Sequence, residues 1–158
     1  MVWGWIAYNF KGPLVILDYP GGRGGGMTVQ RYKEQVLLPV LIPIFNWLRI
    51  ERPGLLFQQD NARCYTARVT KQCLQENNIP QIDHPPISPN VNPIEPVWFD
   101  WKNIFRGQQR TPTSKEELKE MAREAWDNLT LDQINKQIES MPKRVDTVVI
   151  ACGGNTGY

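Results

Sequence analysis

The segment from Phe57 to Trp98 constrains this chain more than any other. It opens Phe57-Gln58-Gln59-Asp60-Asn61-Ala62 and closes Ser88-Pro89-Asn90-Val91-Asn92-Pro93-Ile94-Glu95. Asp60 follows an apolar run, Gly54-Leu55-Leu56-Phe57, that reads as a short buried strand. Glu95 lies just inside a helix, with Asn92 as its cap and Pro93 at its first position. A strand end and a helix start can bring two carboxylates together, and the expectation is a separation within roughly 8 Å. Carboxylates gathered at one point repel unless a cation sits among them, and such hard oxygen ligands suit Mg²⁺ or Mn²⁺. Local pattern alone also admits a blander origin. Asp60-Asn61 is ordinary turn chemistry, and Asn92 with Glu95 three residues on fits a helix-start cap.

The helix expected from Pro93 to about Arg106 carries a second signal. At about 100° per residue, Ile94, Trp98, Trp101 and Phe105 share one face, which reads as core. Lys102 and Arg106 each fall within about 20° of Glu95, on an adjoining face. That stripe is either a solvated surface or a carboxylate ligand beside two cations that hold nucleic-acid phosphates.

The rest of the chain supplies a scaffold. Val2–Phe10 and Leu14–Tyr19 read as an antiparallel hairpin around Lys11-Gly12-Pro13. The glycine-rich stretch 20–26 lacks the spacing of a dinucleotide fingerprint and the Lys-Ser/Thr of a phosphate loop, so it reads as a connector. Thr28 caps a helix toward Arg49, with Tyr32, Val36, Pro39, Val40, Pro43 and Trp47 on its apolar face and a kink or break at the prolines. A helix over 66–77 ends at Asn77-Asn78, and 79–82 is extended. Pro85, Pro86 and Pro89 make 83–91 a stiff loop. Thr113 with Glu116 marks a helix reaching Trp126, and Thr130 with Gln133 marks one toward Ser140. The stretch 145–151 is ambiguous between helix and strand.

Length suits one domain, 1–158, with a real core. Net charge is only +2, so partners must be read from local patches. Cys64, Cys73 and Cys152 form no C-x-x-C pair, and with His84 as the one histidine they disfavour zinc and indicate a reducing compartment. No signal peptide is evident, and the longest apolar stretch, 36–45, is too short for a membrane span. The expectation is a nuclear or cytoplasmic protein that is not secreted. The sequon Asn128-Leu129-Thr130 then reads as a loop, with Thr130 capping the next helix.

Gln-Asp-Asn-Ala at 59–62, followed at this separation by Ser-Pro-x-x-Asn-Pro-Ile-Glu-x-x-Trp at 88–98, resembles the catalytic domain of a mariner-superfamily (DDE-type) transposase. Ser140-Met141-Pro142-Lys143-Arg144-Val145 and Gly153-Gly154-Asn155-Thr156-Gly157-Tyr158 resemble that family's ending, and Met1-Val2-Trp3-Gly4 an internal stretch, so the resemblance covers the whole chain. It implies an α/β, ribonuclease-H-like fold: a mixed sheet flanked by helices. It implies three carboxylates holding two Mg²⁺ or Mn²⁺ ions for in-line DNA cleavage and strand transfer, the ions ~4 Å apart. Asp60 matches the second carboxylate and Glu95 the third, and Lys102 and Arg106 would then hold DNA. Asn90, Tyr65 and His84 depart from residues usual in the family, and none stands at a carboxylate ligand's place.

In the family the first carboxylate lies on a central strand upstream of the Val-Trp-Gly stretch, where this chain starts. The resemblance therefore implies a domain truncated at its N-terminus, without the first central strand and without the N-terminal DNA-binding helices. Such a chain is expected to hold at most one metal ion, weakly, and to cleave no DNA alone. The alternative function is a non-enzymatic, domesticated or decayed remnant that binds DNA or a full-length transposase. Partners expected on either reading are DNA and, through an exposed sheet edge, self-association. No membrane and no small-molecule substrate is implied.

Overall fold

Aromatic and apolar residues near the N-terminus form four two-residue strands rather than one long hairpin. These are β1 (Val2–Trp3), β2 (Ile6–Ala7), β3 (Phe10–Lys11) and β4 (Val15–Ile16). The computed structural model describes residues 1–18, 26–82 and 91–150. Strand β1 pairs antiparallel with β4, Val2 opposite Ile16. Strand β2 pairs with β3, Ile6 opposite Lys11. The tight turn therefore falls at Tyr8-Asn9 and not at Lys11-Gly12-Pro13. Asn9 takes a left-handed φ of 51°, a conformation Asn tolerates better than most residues. The glycine-rich connector up to Gly25, most of the proline loop with His84 and Asn90, and the ending from 151 with Cys152 lie outside the described residues.

The chain divides into two compact units. The first comprises Met1–Trp3 and Val15–Ser88. Its helices are α1 (Val29–Tyr32), a π-helical stretch (Lys33–Leu41), α2 (Ile42–Glu51), α3 (Arg63–Thr66) and α4 (Arg68–Glu76). Thr28 caps α1 as expected, its hydroxyl accepting the Arg31 N–H at 3.2 Å. The helix runs through Pro39 without breaking, because the π register changes which backbone groups pair around the missing N–H. That register also moves the buried face. Tyr32, Val36, Leu37 and Leu41 have no exposed surface, and Phe45 and Leu48 are almost fully buried. Pairs 32/37, 36/41 and 37/42 are five apart, as a π turn requires, and 41/45 and 45/48 return to α spacing. Pro39, Pro43 and Trp47, expected on the core face from uniform α spacing, are exposed instead.

The apolar run before Asp60 does not form an extended strand. Phe57 makes one isolated parallel bridge to Gln81: its N–H donates to Pro80 O at 2.8 Å, and its carbonyl accepts from Ile82 N–H at 2.9 Å. Phe57 is buried, while Leu56 is half exposed. The helix expected over 66–77 is broken at Ala67, whose ψ of 143° separates α3 from α4. It ends where expected, with Asn77 Nδ2 donating to Cys73 O at 2.8 Å and Asn78 at φ 54°.

The second unit comprises Gly4–Leu14 and Pro89–Tyr158, with α5 (Ile94–Gly107), α6 (Lys115–Asp127), α7 (Leu131–Glu139) and α8 (Met141–Ile150). Val97, Trp126, Leu129 and Ile134 form its core, with Ile94, Trp98, Trp101 and Ile104 packed against them. Burying each such aliphatic side chain contributes about 1.5–3 kcal/mol. The face of α5 is as expected, although its most buried residue is Val97; Phe105 lies at the edge, stacked on Trp101 at 5.6 Å. Trp126 Nε1 donates to Gly12 O at 2.8 Å, which satisfies the indole where it is buried. Lys11 Nζ donates to three carbonyls at the end of α6: Trp126 at 2.8 Å, Asp127 at 2.9 Å and Leu129 at 2.7 Å. An ammonium there also meets the negative end of the helix dipole.

Two caps were expected on these helices. Thr130 and Gln133 form the box anticipated for α7. At α6 the cap is one residue later than expected. Ser114, not Thr113, accepts the helix N–H, from Glu117 at 3.0 Å. Glu117, not Glu116, reaches back to Thr113 N–H at 2.7 Å. The ambiguous stretch 145–150 is helical, as part of α8.

Candidate functional site

Asp60 is exposed and sits between a bridged segment and a helix start. The backbone before it is held at Phe57 by the bridge to Gln81. Gln59 is held twice, accepting from the Tyr32 hydroxyl at 3.0 Å and donating to Gln81 Oε1 at 3.2 Å. Asp60 Oδ1 accepts the Ala62 N–H at 2.9 Å. That turn, anticipated as the blander origin of Asp60-Asn61, fixes the carboxylate through one oxygen and leaves its second oxygen out of the turn.

Behind Asp60 stand Tyr32 and Tyr65, with rings 4.6 Å apart. Burial, with the neighbouring Tyr65, Cys64 and Asp60 adding to it, pushes the Tyr32 phenol well above its ordinary range. Tyr65 is pushed up likewise, by burial first and then by Cys64 and Asp60. Both phenols therefore stay neutral at ordinary pH, and Tyr32 stays a donor to Gln59. Burial also raises the Cys64 thiol, which disfavours its thiolate form.

Glu95 lies in the second unit, in the first turn of α5. Pro93 occupies the cap position and no side chain caps this end. Asn92 contributes its carbonyl, to Glu95 N–H at 3.3 Å, rather than its side chain. The expected capping role for Asn92 and Glu95 is therefore absent, and the Glu95 carboxylate is not engaged in one. Glu95, Lys102 and Arg106 are all exposed along one face of α5, adjoining its tryptophan-lined face. Asp60 belongs to the first unit and Glu95 to the second.

The donor chemistry of the two carboxylates, exposed and all oxygen, fits Mg²⁺ or Mn²⁺ and not zinc. Among the described residues no group of three or more His, Cys, Asp or Glu is placed to hold a metal ion. No described helix is long and apolar enough to cross a membrane.

Two residues around these sites escaped the sequence pattern. Tyr32 reads as one more apolar residue on a helix face, and nothing local announces its bond to Gln59 across 27 positions. Phe99 was legible in principle: at about 100° per residue it falls about 40° from Glu95, an aromatic on the polar face.

No protein-family model matches the chain. The Tcb2 transposase of Caenorhabditis briggsae is 30% identical over 161 residues, covering all of this chain and 54% of the relative. This chain spans about half the length of the curated relatives it matches. Among solved structures, the Mos1 transposase catalytic domain with raltegravir and manganese superposes with a TM-score of 0.68 at 22% identity, over 98% of this chain and 82% of that one. A Mos1 transposase paired-end complex with a left transposon end superposes with a TM-score of 0.66 at 25% identity, over 85% of this chain and 39% of that one.

Proposed function

We propose, for a chain that belongs with the Tc1/mariner transposases and carries the ribonuclease-H-like fold of a mariner catalytic domain, that it serves the DNA cleavage and joining of a DDE transposase. The observation that carries this reading is the exposed stripe of α5. One helix presents a carboxylate free of capping duty together with two cations, while its other face is anchored in a tryptophan core.

In this reading Asp60 and Glu95 are carboxylate ligands, and Lys102 and Arg106 hold DNA phosphates. Divalent ions, when bound, would polarise the scissile phosphate and stabilise its leaving oxygen. The chain's own part is to hold and orient. Tyr32, Gln59 and Gln81 fix the backbone entering Asp60, and the turn to Ala62 fixes one carboxylate oxygen. The packed face of α5 makes Glu95 and the two cations a rigid set. Positioning and charge stabilisation are most of what phosphoryl transfer asks of a protein. No side chain need act as a covalent nucleophile.

Metal placement is tested without relying on turnover. The chain is loaded with Fe²⁺ in place of Mg²⁺ and treated with ascorbate and peroxide, so that radicals cut the backbone beside the ion. Cuts near residues 60 and 95, suppressed by excess Mg²⁺ or Mn²⁺ and by Asp60→Asn and Glu95→Gln, are expected. Cuts elsewhere, or cuts indifferent to both substitutions, would end this reading of the two carboxylates. In parallel, a labelled transposon-end duplex is incubated with Mg²⁺ or Mn²⁺, and any nicking is expected to vanish in both variants.

A further inference from the structure

We propose that Phe99 is a stacking platform for an unpaired nucleotide of the DNA that α5 receives, a role that rests on the nucleic-acid reading of that helix. Phe99 is 64% exposed in the middle of a well-packed helix. The other three aromatic residues of α5 are engaged. Trp98 packs on Trp126 at 5.1 Å, Trp101 meets Trp98 at 5.7 Å, and Phe105 stacks on Trp101. Phe99 shares in none of these ring pairs. Leaving such a ring largely in water forgoes stabilisation that burial would supply.

Its neighbours say what would cover it. One turn before it on the helix is Glu95, about 5–6 Å away between Cβ atoms. Lys102 lies one turn after it and Arg106 about two turns after, all on the same exposed face. An aromatic ring beside two cations is how proteins hold single-stranded nucleic acid: the cations track phosphates and the ring stacks on a base. A purely apolar protein partner would have to bury both cations unpaired. Phenylalanine carries no donor or acceptor to read a base edge, so its use requires a base whose flat face is uncovered. That condition is met by a base out of its stack and not by one inside a duplex. Base identity is expected to matter little, because every base has a π-face.

The test compares two labelled DNAs at one salt concentration: a blunt duplex, and the same duplex with a short unpaired 3′ extension carrying 2-aminopurine. The parent chain is expected to bind the extended DNA more tightly and to quench the 2-aminopurine. Phe99→Ala is expected to lower affinity for the extended DNA by about 5- to 150-fold, the range of one base-aromatic stack, and to abolish the quenching. Blunt-duplex affinity should not move, and Phe99→Tyr should restore both signals. Equal weakening for both DNAs, or none for either, would overturn the proposal. So would loss of self-association in Phe99→Ala with DNA binding unchanged, which would assign the ring to a protein contact. The double variant Lys102→Ala, Arg106→Ala separates the two levels of the argument. If it loses blunt-duplex binding while Phe99→Ala changes nothing, only the stacking role fails. If the parent binds neither DNA, the nucleic-acid reading of α5 fails and the stacking role with it.

Discussion

Asp60 combines a structural and a chemical duty in one carboxylate, and the two can be separated. Its Oδ1 closes the turn by accepting the Ala62 N–H. Asn keeps an acceptor at that position and loses the charge; Ala loses both. Asp60→Asn should therefore unfold at nearly the parent temperature, and Asp60→Ala should lose about 0.5–1.5 kcal/mol, the net worth of one hydrogen bond. Both should lose any stabilisation by Mg²⁺, read as the shift in thermal melting on adding the ion. If Asn destabilises as much as Ala, the turn depends on charge and not on the acceptor. Gly12 has no such latitude. A Cβ there would lie 2.2 Å from Trp5 Nε1 and 2.3 Å from its Cδ1, while Gly12 also donates to Trp5 O and accepts from Trp126 Nε1. Its backbone cannot retreat without breaking one of those bonds. Gly12→Ala is expected to cost about 1–3 kcal/mol in chemical denaturation, as overpacking does.

At the scale of elements, the second unit depends on how α6 begins and ends. At its end, Lys11 reaches over from β3 and donates to three carbonyls. Burial lowers the Lys11 pKa, and Asp127 works against that. Lys11→Met keeps the stem and removes the donors and the charge. The expected loss is about 1.5–3 kcal/mol, since a charged donor is involved. A loss under about 0.5 kcal/mol in urea unfolding would show that water replaces the ammonium at no cost. At its start, Glu117 accepts from Thr113 N–H and from the Thr113 hydroxyl, and these bonds lower its pKa below the ordinary 4.5. A carboxylate lowered in the fold binds fewer protons there than in the unfolded chain. Its stabilisation is thus present above the ordinary value and lost as pH falls through the lowered one. Melting temperatures of the parent and of Glu117→Gln should differ at neutral pH and converge in acid. Parallel curves would mean that the neutral amide caps Thr113 as well as the carboxylate does.

For the molecule as a whole, what the sequence disclosed follows the range of the forces involved. Local signals hold: Thr28, Thr130 with Gln133, Asn77-Asn78 and the tryptophan face of α5 lie where short-range pattern puts them. Signals that depend on register were displaced. A π turn rotated the face of 29–51 away from Pro39 and Trp47, and the cap of α6 moved from Thr113 to Ser114. The buried strand before Asp60 shrank to a single bridge, because only Phe57 of that run found a cover. Long-range bonds such as Tyr32 to Gln59 and Lys11 to Trp126 had no local signature at all. The stripe of Glu95, Lys102 and Arg106 needed only helical periodicity, and it therefore carries a quantitative prediction at this scale. Net charge is +2, so the molecule as a whole exerts little pull on DNA and binding must come from local cations. Two phosphate contacts release counterions with a slope of log affinity against log salt of about −1.8 on duplex DNA. Removing Lys102 or Arg106 singly should reduce that slope by about one, uniformly across sequences. A parent slope much steeper than −1.8 would recruit further cations, with exposed Arg63, Arg68 and Lys71 after Asp60 the first to substitute. A slope unchanged in the double variant would remove α5 from the DNA interface altogether.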